Sequence, residues 1–136
     1  MSEFKTNHLH IICHDLEKMK HFWTYGIGAT FREERSFGGA AGAVLQLDVL
    51  QINLRVPKNS ETAIEPNKAS LGYDHLGLEV DDIESACSHL ATLGCSIESG
   101  PTDLSDRKRD FLKGPENITL ELSQFFQRAG LLSCYC

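Results

Sequence analysis

The sequence predicts an α+β domain built from two tandem βαβββ modules, and three observations lead to this prediction. The chain has 136 residues, which suits one domain, since domains most often contain about 100–150 residues. Three sequence blocks recur in the same order, at offsets of 66 to 68 residues. Each half of the chain also carries the same succession of strand and helix patterns. The length therefore divides into two copies of one module.

The repeat is clearest where a histidine begins each copy. His8 and His75 are 67 residues apart, and so are Asp15 and Asp82, which follow them at the same spacing. A period this long with only two copies predicts a two-module domain and not a solenoid. The matched blocks are residues 8–17 with 75–84, 27–31 with 93–97, and 50–54 with 118–122.

The first module, about residues 5–56, opens with a predicted strand at 7–13, where the pattern is alternating and rich in β-branched residues. Asp15 is a suitable helix N-cap, and Gly26 and Gly28 predict the end of the helix. The apolar face of this helix is predicted to consist of Met19, Phe22 and Trp23. The strands predicted after it are residues 29–35, 43–48 and 51–56.

Residues 57–72 contain Pro and Asn and are predicted to be a linker, and residues 124–136 are a tail outside the repeat. The second module, about residues 73–123, follows the course of the first. Its predicted elements are a strand at 75–80, a helix at 82–93 ending at Gly94, and strands at 96–99, 109–113 and 118–123.

Composition excludes several classes of partner. Thirteen Lys and Arg against nineteen Asp and Glu give a net charge of −6, which argues against nucleic acid and against a polybasic membrane anchor. The whole excess of negative charge lies in residues 69–136, because residues 1–68 are balanced. No apolar stretch approaches the roughly 20 residues that a spanning helix needs. The N-terminus lacks a signal-peptide pattern, so we expect a cytoplasmic protein.

The five cysteines form no regular framework, and we expect free thiols in a reducing compartment. Cys134 and Cys136 leave a tail metal site as an alternative, although no further ligands cluster there. The glycine-rich segment 38–42 lacks the Gly-Lys-Ser/Thr of a P-loop and is predicted to be a mobile hairpin or lid.

Candidate metal ligands follow from the repeat. His8 and His75 occupy the same position in the two copies. Glu121 stands in an otherwise apolar strand, where an unpaired carboxylate would be costly. Two histidines and one carboxylate at equivalent strand positions are sufficient for a mononuclear divalent site with open coordination positions.

These motifs resemble the vicinal oxygen chelate superfamily. The resemblance rests on the paired βαβββ pattern, on His seven residues before Asp in each copy, and on Ile-Thr-Leu-Glu-Leu at residues 118–122. It covers roughly residues 5–123. The superfamily includes glyoxalase I, methylmalonyl-CoA epimerase, fosfomycin-resistance proteins, extradiol dioxygenases and bleomycin-resistance proteins.

The resemblance implies one divalent metal ion per site, Fe²⁺, Ni²⁺, Zn²⁺, Mn²⁺ or Co²⁺, bound by His8, His75 and Glu121 with Asn53 at the fourth position. It also implies that the two modules form a curved, open mixed sheet that cups the metal. Small members are often homodimers whose sites draw strands from both subunits, so we expect a homodimer with a small-molecule substrate.

Asn53 departs from the family pattern, which usually has Glu and in some epimerases Gln at this position. A carboxylate there can bind metal and act as a general base, whereas an amide is neutral and does not usefully accept a proton at pH 7. Asn53 is thus at best a weak ligand. The remaining two histidines and one carboxylate form the triad associated with non-haem Fe(II) and O₂ chemistry.

Four further side chains are candidates for the same site. His10 shares a strand face with His8 and is the candidate for proton transfer, with Glu121 as the other catalytic candidate. Arg55 and Arg109 could clamp a carboxylate or phosphate of the substrate, and Phe111 shares a strand face with Arg109. The alternative for His10 is an ordinary rim histidine, and for each arginine a solvated salt bridge.

We therefore expect a metal-dependent isomerase or lyase that acts on a small oxygenated molecule chelated through vicinal oxygens. A non-haem Fe(II) ring-cleaving dioxygenase is the first alternative, favoured by the three-ligand set. A small-molecule binding protein of the bleomycin-resistance type is the second, and loss of the metal residues would be its mark.

Overall fold

The computed structural model describes residues 2–62 and 71–126, and the chain divides into two compact units, Met1–Lys68 and Ala69–Cys136. The boundary falls inside the predicted linker, so each unit contains one predicted module. Both units combine a mixed sheet with helix, which confirms the α+β prediction. Within the described residues, no helix is long and apolar enough to cross a membrane.

The first unit follows the predicted order. It comprises β1 (His8–Ile12), α1 (Leu16–His21), a π-helical segment (Phe22–Ile27), β2 (Thr30–Phe37), β3 (Ala40–Leu47) and β4 (Leu50–Arg55). Its strands pair in the order β1-β4-β3-β2, with β1 parallel to β4 and the other pairs antiparallel.

The second unit repeats this arrangement. It comprises β5 (Leu76–Glu79), α2 (Ile83–Thr92), β6 (Ser96–Ile97), β7 (Thr102–Asp103), β8 (Arg107–Lys113), a 3₁₀ turn (Pro115–Asn117) and β9 (Thr119–Phe125). Its strands pair in the order β5-β9-β8-β6, with β5 parallel to β9 and with β7 also paired to β8.

The duplication extends to the strand register. Asn53 lies opposite His10, two residues after His8. Glu121 lies opposite Gly77, two residues after His75. Equivalent residues of the two modules therefore have equivalent neighbours across the parallel pair.

The helix N-caps are also duplicated. The side chain of Asp15 accepts a hydrogen bond from the Lys18 backbone N–H at 3.0 Å, and that of Asp82 accepts one from Ser85 at 3.0 Å. Each carboxylate satisfies one of the four N–H groups left open at a helix start and adds negative charge where the helix dipole favours it. Both predicted helix starts are confirmed.

The end of the first helix differs from the prediction. Gly26 does not stop it but lies inside the π-helical segment, and the chain leaves the helix at Gly28, whose φ is +94°. That left-handed conformation suits glycine and allows the Ala29 N–H to donate to the Trp23 carbonyl at 2.8 Å.

The glycine-rich segment forms the turn of a tight hairpin. Gly38 and Gly39 have φ of +58° and +89°, the combination that a two-residue hairpin turn requires. Strand β2 consequently runs to Phe37, and β3 already begins at Ala40. The segment predicted to be a mobile hairpin or lid thus forms a hairpin turn, but three of its five residues, 40–42, belong to strand β3.

The second module departs from the first in the strand that follows its helix. The counterpart of β2 is broken into the short strands β6 and β7, the second of which was not predicted. Gly100 has a φ of +80°, and Pro101 has no N–H to donate, so neither residue continues a sheet ladder.

Two boundaries at the end of the second module also change. Strand β8 begins at Arg107, two residues before the predicted start, and β9 continues to Phe125. Gln124 and Phe125 therefore belong to the sheet and not to the tail. Cys134 and Cys136 lie outside the described residues.

A helix covers one face of each sheet. In the first unit α1 contacts β4, and in the second α2 contacts β8 and β9. The core residues these contacts bury include Met19, Phe22, Trp23, Ile52 and Leu54 in the first unit, and Ile83, Leu90, Leu112, Leu120 and Leu122 in the second. The opposite face of each sheet is left for polar side chains.

Candidate functional site

The candidate site lies on the face of each sheet that the helix does not cover. In β9 the side chains of Leu120 and Leu122 are buried in the core. Glu121 lies between them and points to the other face, since strand side chains alternate. The antiparallel register places Phe111 opposite Glu121, so both lie on this open face.

The second unit brings two predicted ligands together. The Nε2 atom of His75 lies 3.0 Å from Oε2 of Glu121, and their side chains are only 27% and 13% exposed. These two atoms are the ones that would bind a metal. His75 was predicted to begin the strand at 75–80, but it directly precedes β5, which begins at Leu76.

Each module fixes the orientation of its first histidine in the same way. Nδ1 of His75 contacts the Asp74 carboxylate at 2.7 Å, and Nδ1 of His8 contacts the Asn7 amide oxygen at 2.7 Å. A polar partner on one ring nitrogen selects the tautomer and leaves the other nitrogen available as a ligand. Asn7 and Asp74 were not among the predicted site residues, although they are also 67 residues apart.

Glu121 has further polar neighbours. Its Oε1 accepts a hydrogen bond from Ser123 Oγ at 3.2 Å and lies 3.7 Å from Nη2 of Arg107. These contacts compensate a carboxylate that stands among buried leucines. Arg107 was also missed, because it precedes the predicted start of its strand.

The first unit presents His8 and His10 on one face of β1, with ring centroids 6.5 Å apart. Asn53 is only 5% exposed, and its Oδ1 accepts a hydrogen bond from Gln51 Nε2 at 2.8 Å. The amide oxygen that would be the weak fourth ligand is therefore already engaged.

His10 packs edge-on against Phe37, with ring centroids 4.6 Å apart. Partial burial, followed by the nearby positive charge of Arg55, lowers the pKa of its imidazole below the usual value. Both effects favour the neutral ring.

Arg55 has an acidic partner within its own unit. Its two terminal nitrogens each lie 2.9 Å from an oxygen of Glu61, which forms a bidentate pair. This pairing lowers the pKa of the Glu61 carboxyl. Glu61 lies in the predicted linker, where no local pattern indicates the contact.

Phe111 joins the remaining candidates of the second unit. Its ring lies edge-on to His75, with centroids 5.1 Å apart, and the Arg109 guanidinium carbon lies 5.2 Å from the Phe111 centroid. An open groove of about 540 Å³ borders Phe111, which is within the range of small-molecule sites. Its polar lining includes Asp74, Ser96, Glu98, Lys113 and Thr119.

The donor chemistry of the second unit fits a divalent metal ion. If two donor atoms each lie about 2.1 Å from one metal ion and form a right angle at that ion, they are about 3 Å apart. The separation of His75 Nε2 and Glu121 Oε2 is 3.0 Å. Within residues 2–62 and 71–126, no three His, Cys, Asp or Glu side chains gather into a metal-holding group. The described half-site is thus a pair.

Comparison with known proteins gives concordant results. The family model described as Glyoxalase/Bleomycin resistance protein/Dioxygenase superfamily matches residues 5–122. The uncharacterized protein YwkD of Bacillus subtilis (strain 168) is 31% identical over 125 residues, which are 85% of this chain and 93% of YwkD.

Solved structures agree on the fold. A glyoxalase family protein from Bacillus cereus has a TM-score of 0.80 at 16% identity, over 93% of this chain and 97% of that one. TnmS3, an antibiotic binding protein from Streptomyces sp. CB03234, has a TM-score of 0.68 at 17% identity, over 92% of this chain and 98% of that one. With the family model matching nearly the whole repeat, the chain belongs to the Glyoxalase/Bleomycin resistance protein/Dioxygenase superfamily.

Proposed function

We propose that this protein is a metal-dependent enzyme of the isomerase or lyase type, acting on a small oxygenated molecule that binds through two neighbouring oxygens. The observation that carries the proposal is the 3.0 Å approach of His75 Nε2 to Glu121 Oε2, with the other nitrogen of His75 held by Asp74. Side chains this well oriented toward one point are typical of a metal half-site.

The proposed ligands are His75 and Glu121, with His8 as the third and Asn53 as a weak or absent fourth. His8 is included because of the repeat. It occupies the position equivalent to His75, and in both histidines Nδ1 contacts the side chain of the preceding residue. A bound divalent ion would act as a Lewis acid on the substrate oxygens.

The chain's own groups would bind and orient the substrate and move its proton. His10 lies on the same strand face as His8 and is braced by Phe37, so its imidazole is our candidate for taking and returning a proton. Phe111 and Arg109 border the half-site and would contact the substrate. The proposed role of Arg55 requires the substrate to compete with Glu61.

A non-haem Fe(II) ring-cleaving dioxygenase is the second candidate, and a specific contact favours it. Because the Asn53 amide oxygen is occupied by Gln51, the ligand set reduces to two histidines and one carboxylate, the set typical of that chemistry. A binding protein of the bleomycin-resistance type is the third candidate, and the TnmS3 fold is compatible with it.

We infer a cytoplasmic homodimer for any of these functions. In the described part of the chain, Cys87 and Cys95 are free thiols, which suits a reducing compartment. Burial raises the pKa of the Cys87 and Cys95 thiols, so both favour the protonated, unreactive form.

The test is purification without oxygen, followed by elemental analysis and measurement of O₂ uptake with catechol-like substrates. Stoichiometric nickel, zinc, manganese or cobalt without O₂ uptake would support the isomerase or lyase. Stoichiometric iron with O₂ consumption would replace it with the dioxygenase. Absence of stoichiometric metal from protein refolded or dialysed against each of these ions would leave only the binding protein.

Changing Asn53 to glutamate tests the proposed fourth position. We expect Asn53→Glu to raise metal affinity about tenfold or more, because a carboxylate replaces an amide as a donor to a divalent ion. Chelator competition would measure the change. Asn53→Gln is the matched control, since it lengthens the side chain by the same methylene without adding charge. Equal affinity in both variants would show that residue 53 does not face the metal.

A further inference from the structure

Basic residues of the second unit are concentrated on one strand. Residues 69–136 contain five Lys and Arg against eleven Asp and Glu, and four of the five lie in Arg107–Lys113, which is β8. Because the unit is otherwise acidic, this concentration needs a local explanation.

Strand alternation divides these residues between two faces. Lys108 lies with the face that α2 covers, where its Nζ is 3.4 Å from Glu84 of that helix. Arg107 and Arg109 lie on the open face, as shown by the contact of Arg107 with Glu121 and by the position of Arg109 over Phe111. The two arginines therefore border the candidate site.

Arg107 balances the charge of Glu121 and still has an unused donor. Its Nη2 is 3.7 Å from Glu121 Oε1, and its guanidinium carbon lies 5.5 Å from the centroid of Phe125. Its Nε is buried and has no hydrogen-bond partner among the described residues. This atom has almost no exposed surface, so a ligand on the open face does not reach it, and Arg107 serves to balance the charge of Glu121.

Arg109 differs from the other basic residues discussed above in having no acidic partner in the described part of the chain. No acidic side chain of the described residues pairs with it, in contrast to Arg55 with Glu61 and Lys108 with Glu84. On the other side of Phe111 along β8, the groove contains both Lys113 and Glu98. The register also places Glu79 on this face, across Ser123 from Arg109. What distinguishes Arg109 is therefore the lack of an acidic partner among the described residues, and not the net charge of the face.

We propose that Arg109 binds an anionic oxygen group of the substrate, a carboxylate or a phosphate. The inference rests on the proposed function, since it assigns the substrate class of the same site. Guanidinium groups bind such anions through charge-assisted, often bidentate hydrogen bonds. Phe111 holds the Arg109 guanidinium beside the half-site by a cation–π contact.

The experiment compares probes that differ mainly in charge. Mandelate and mandelamide share neighbouring oxygens and a phenyl ring, but only mandelate carries a carboxylate, and phenyl phosphate supplies the phosphate alternative. Calorimetric titration of the full chain, stripped of metal with EDTA and then dialysed free of EDTA, should show at least one anion binding about tenfold more tightly than mandelamide. The protein's net charge of −6 would act against this preference, so the preference must be local.

Arg109→Gln should weaken binding of the preferred anion about tenfold and leave mandelamide unchanged. Lys108→Gln removes the same charge from the same strand on the other face and should change neither. Equal binding of all three probes, no binding of either anion, or a preference that survives Arg109→Gln would overturn the inference. Measurement on the metal-free protein separates this result from the proposed function. A protein without metal affinity can still show the charge preference, and a metalloprotein can lack it.

Discussion

Replacing His75 with alanine is expected to lower affinity for the divalent ion by more than about 100-fold. Loss of an outer hydrogen-bond partner typically costs 10–100-fold, and removal of a ligand itself costs more. His75 Nε2 is 3.0 Å from Glu121 Oε2, so the variant would leave a carboxylate facing an empty position. Competition with a chromophoric chelator, combined with elemental analysis of the dialysed protein, would measure the loss.

A graded series distinguishes ligation from general damage. Asp74→Asn should reduce affinity less, by about 10–100-fold, because it changes only the group that orients the His75 ring. His21→Ala is the control. It removes a histidine of the first unit, where His21 stacks on Tyr25, and it should leave metal affinity unchanged. If His75→Ala bound metal as tightly as the wild type, His75 would not be a ligand and the metal-dependent functions would be abandoned.

The repeat accounts for how much could be predicted from the sequence. Equivalent positions such as Asp15 and Asp82 carry the same side chain because each caps a helix in the same place. The same periodicity predicted that Glu121 and Asn53 occupy corresponding strand positions, and the register of both parallel pairs agrees. Side chains repeated at a fixed spacing were sufficient to predict these features.

Contacts between segments far apart in the chain were harder to predict from the sequence. Arg107 reaches Glu121 across the β8–β9 pair, and Arg55 reaches Glu61 in the linker. Neither contact has a signature in the local pattern, because a pairing partner depends on where a strand begins and how the chain turns. The break between β6 and β7 arises from Gly100 and Pro101, which disrupt a strand that the first module keeps whole.

Replacing Gly42 with alanine is expected to destabilise the first unit by about 3 kcal/mol, the upper part of the range for overpacking. A Cβ at this position would overlap the Leu54 carbonyl oxygen and would lie 2.6 Å from Cδ2 of Phe37. The oxygen belongs to the backbone of β4, which pairs with β3 on one side and β1 on the other, so it has little room to move. Displacement of Phe37 would also disturb its packing on His10.

Trp23 makes this prediction measurable. It is the single tryptophan of the chain and is fully buried in the same unit, so its fluorescence during urea denaturation reports the unfolding of that unit. Ala41→Ser is the matched control, since Ala41 is exposed in the same strand of the same unit, and its effect should stay within about 0.5 kcal/mol. Similar midpoints for the wild type and Gly42→Ala would mean that β3 and β4 can separate at this point. In that case, the close packing of Phe37 on Gly42 would not be what holds the Phe37 ring against His10.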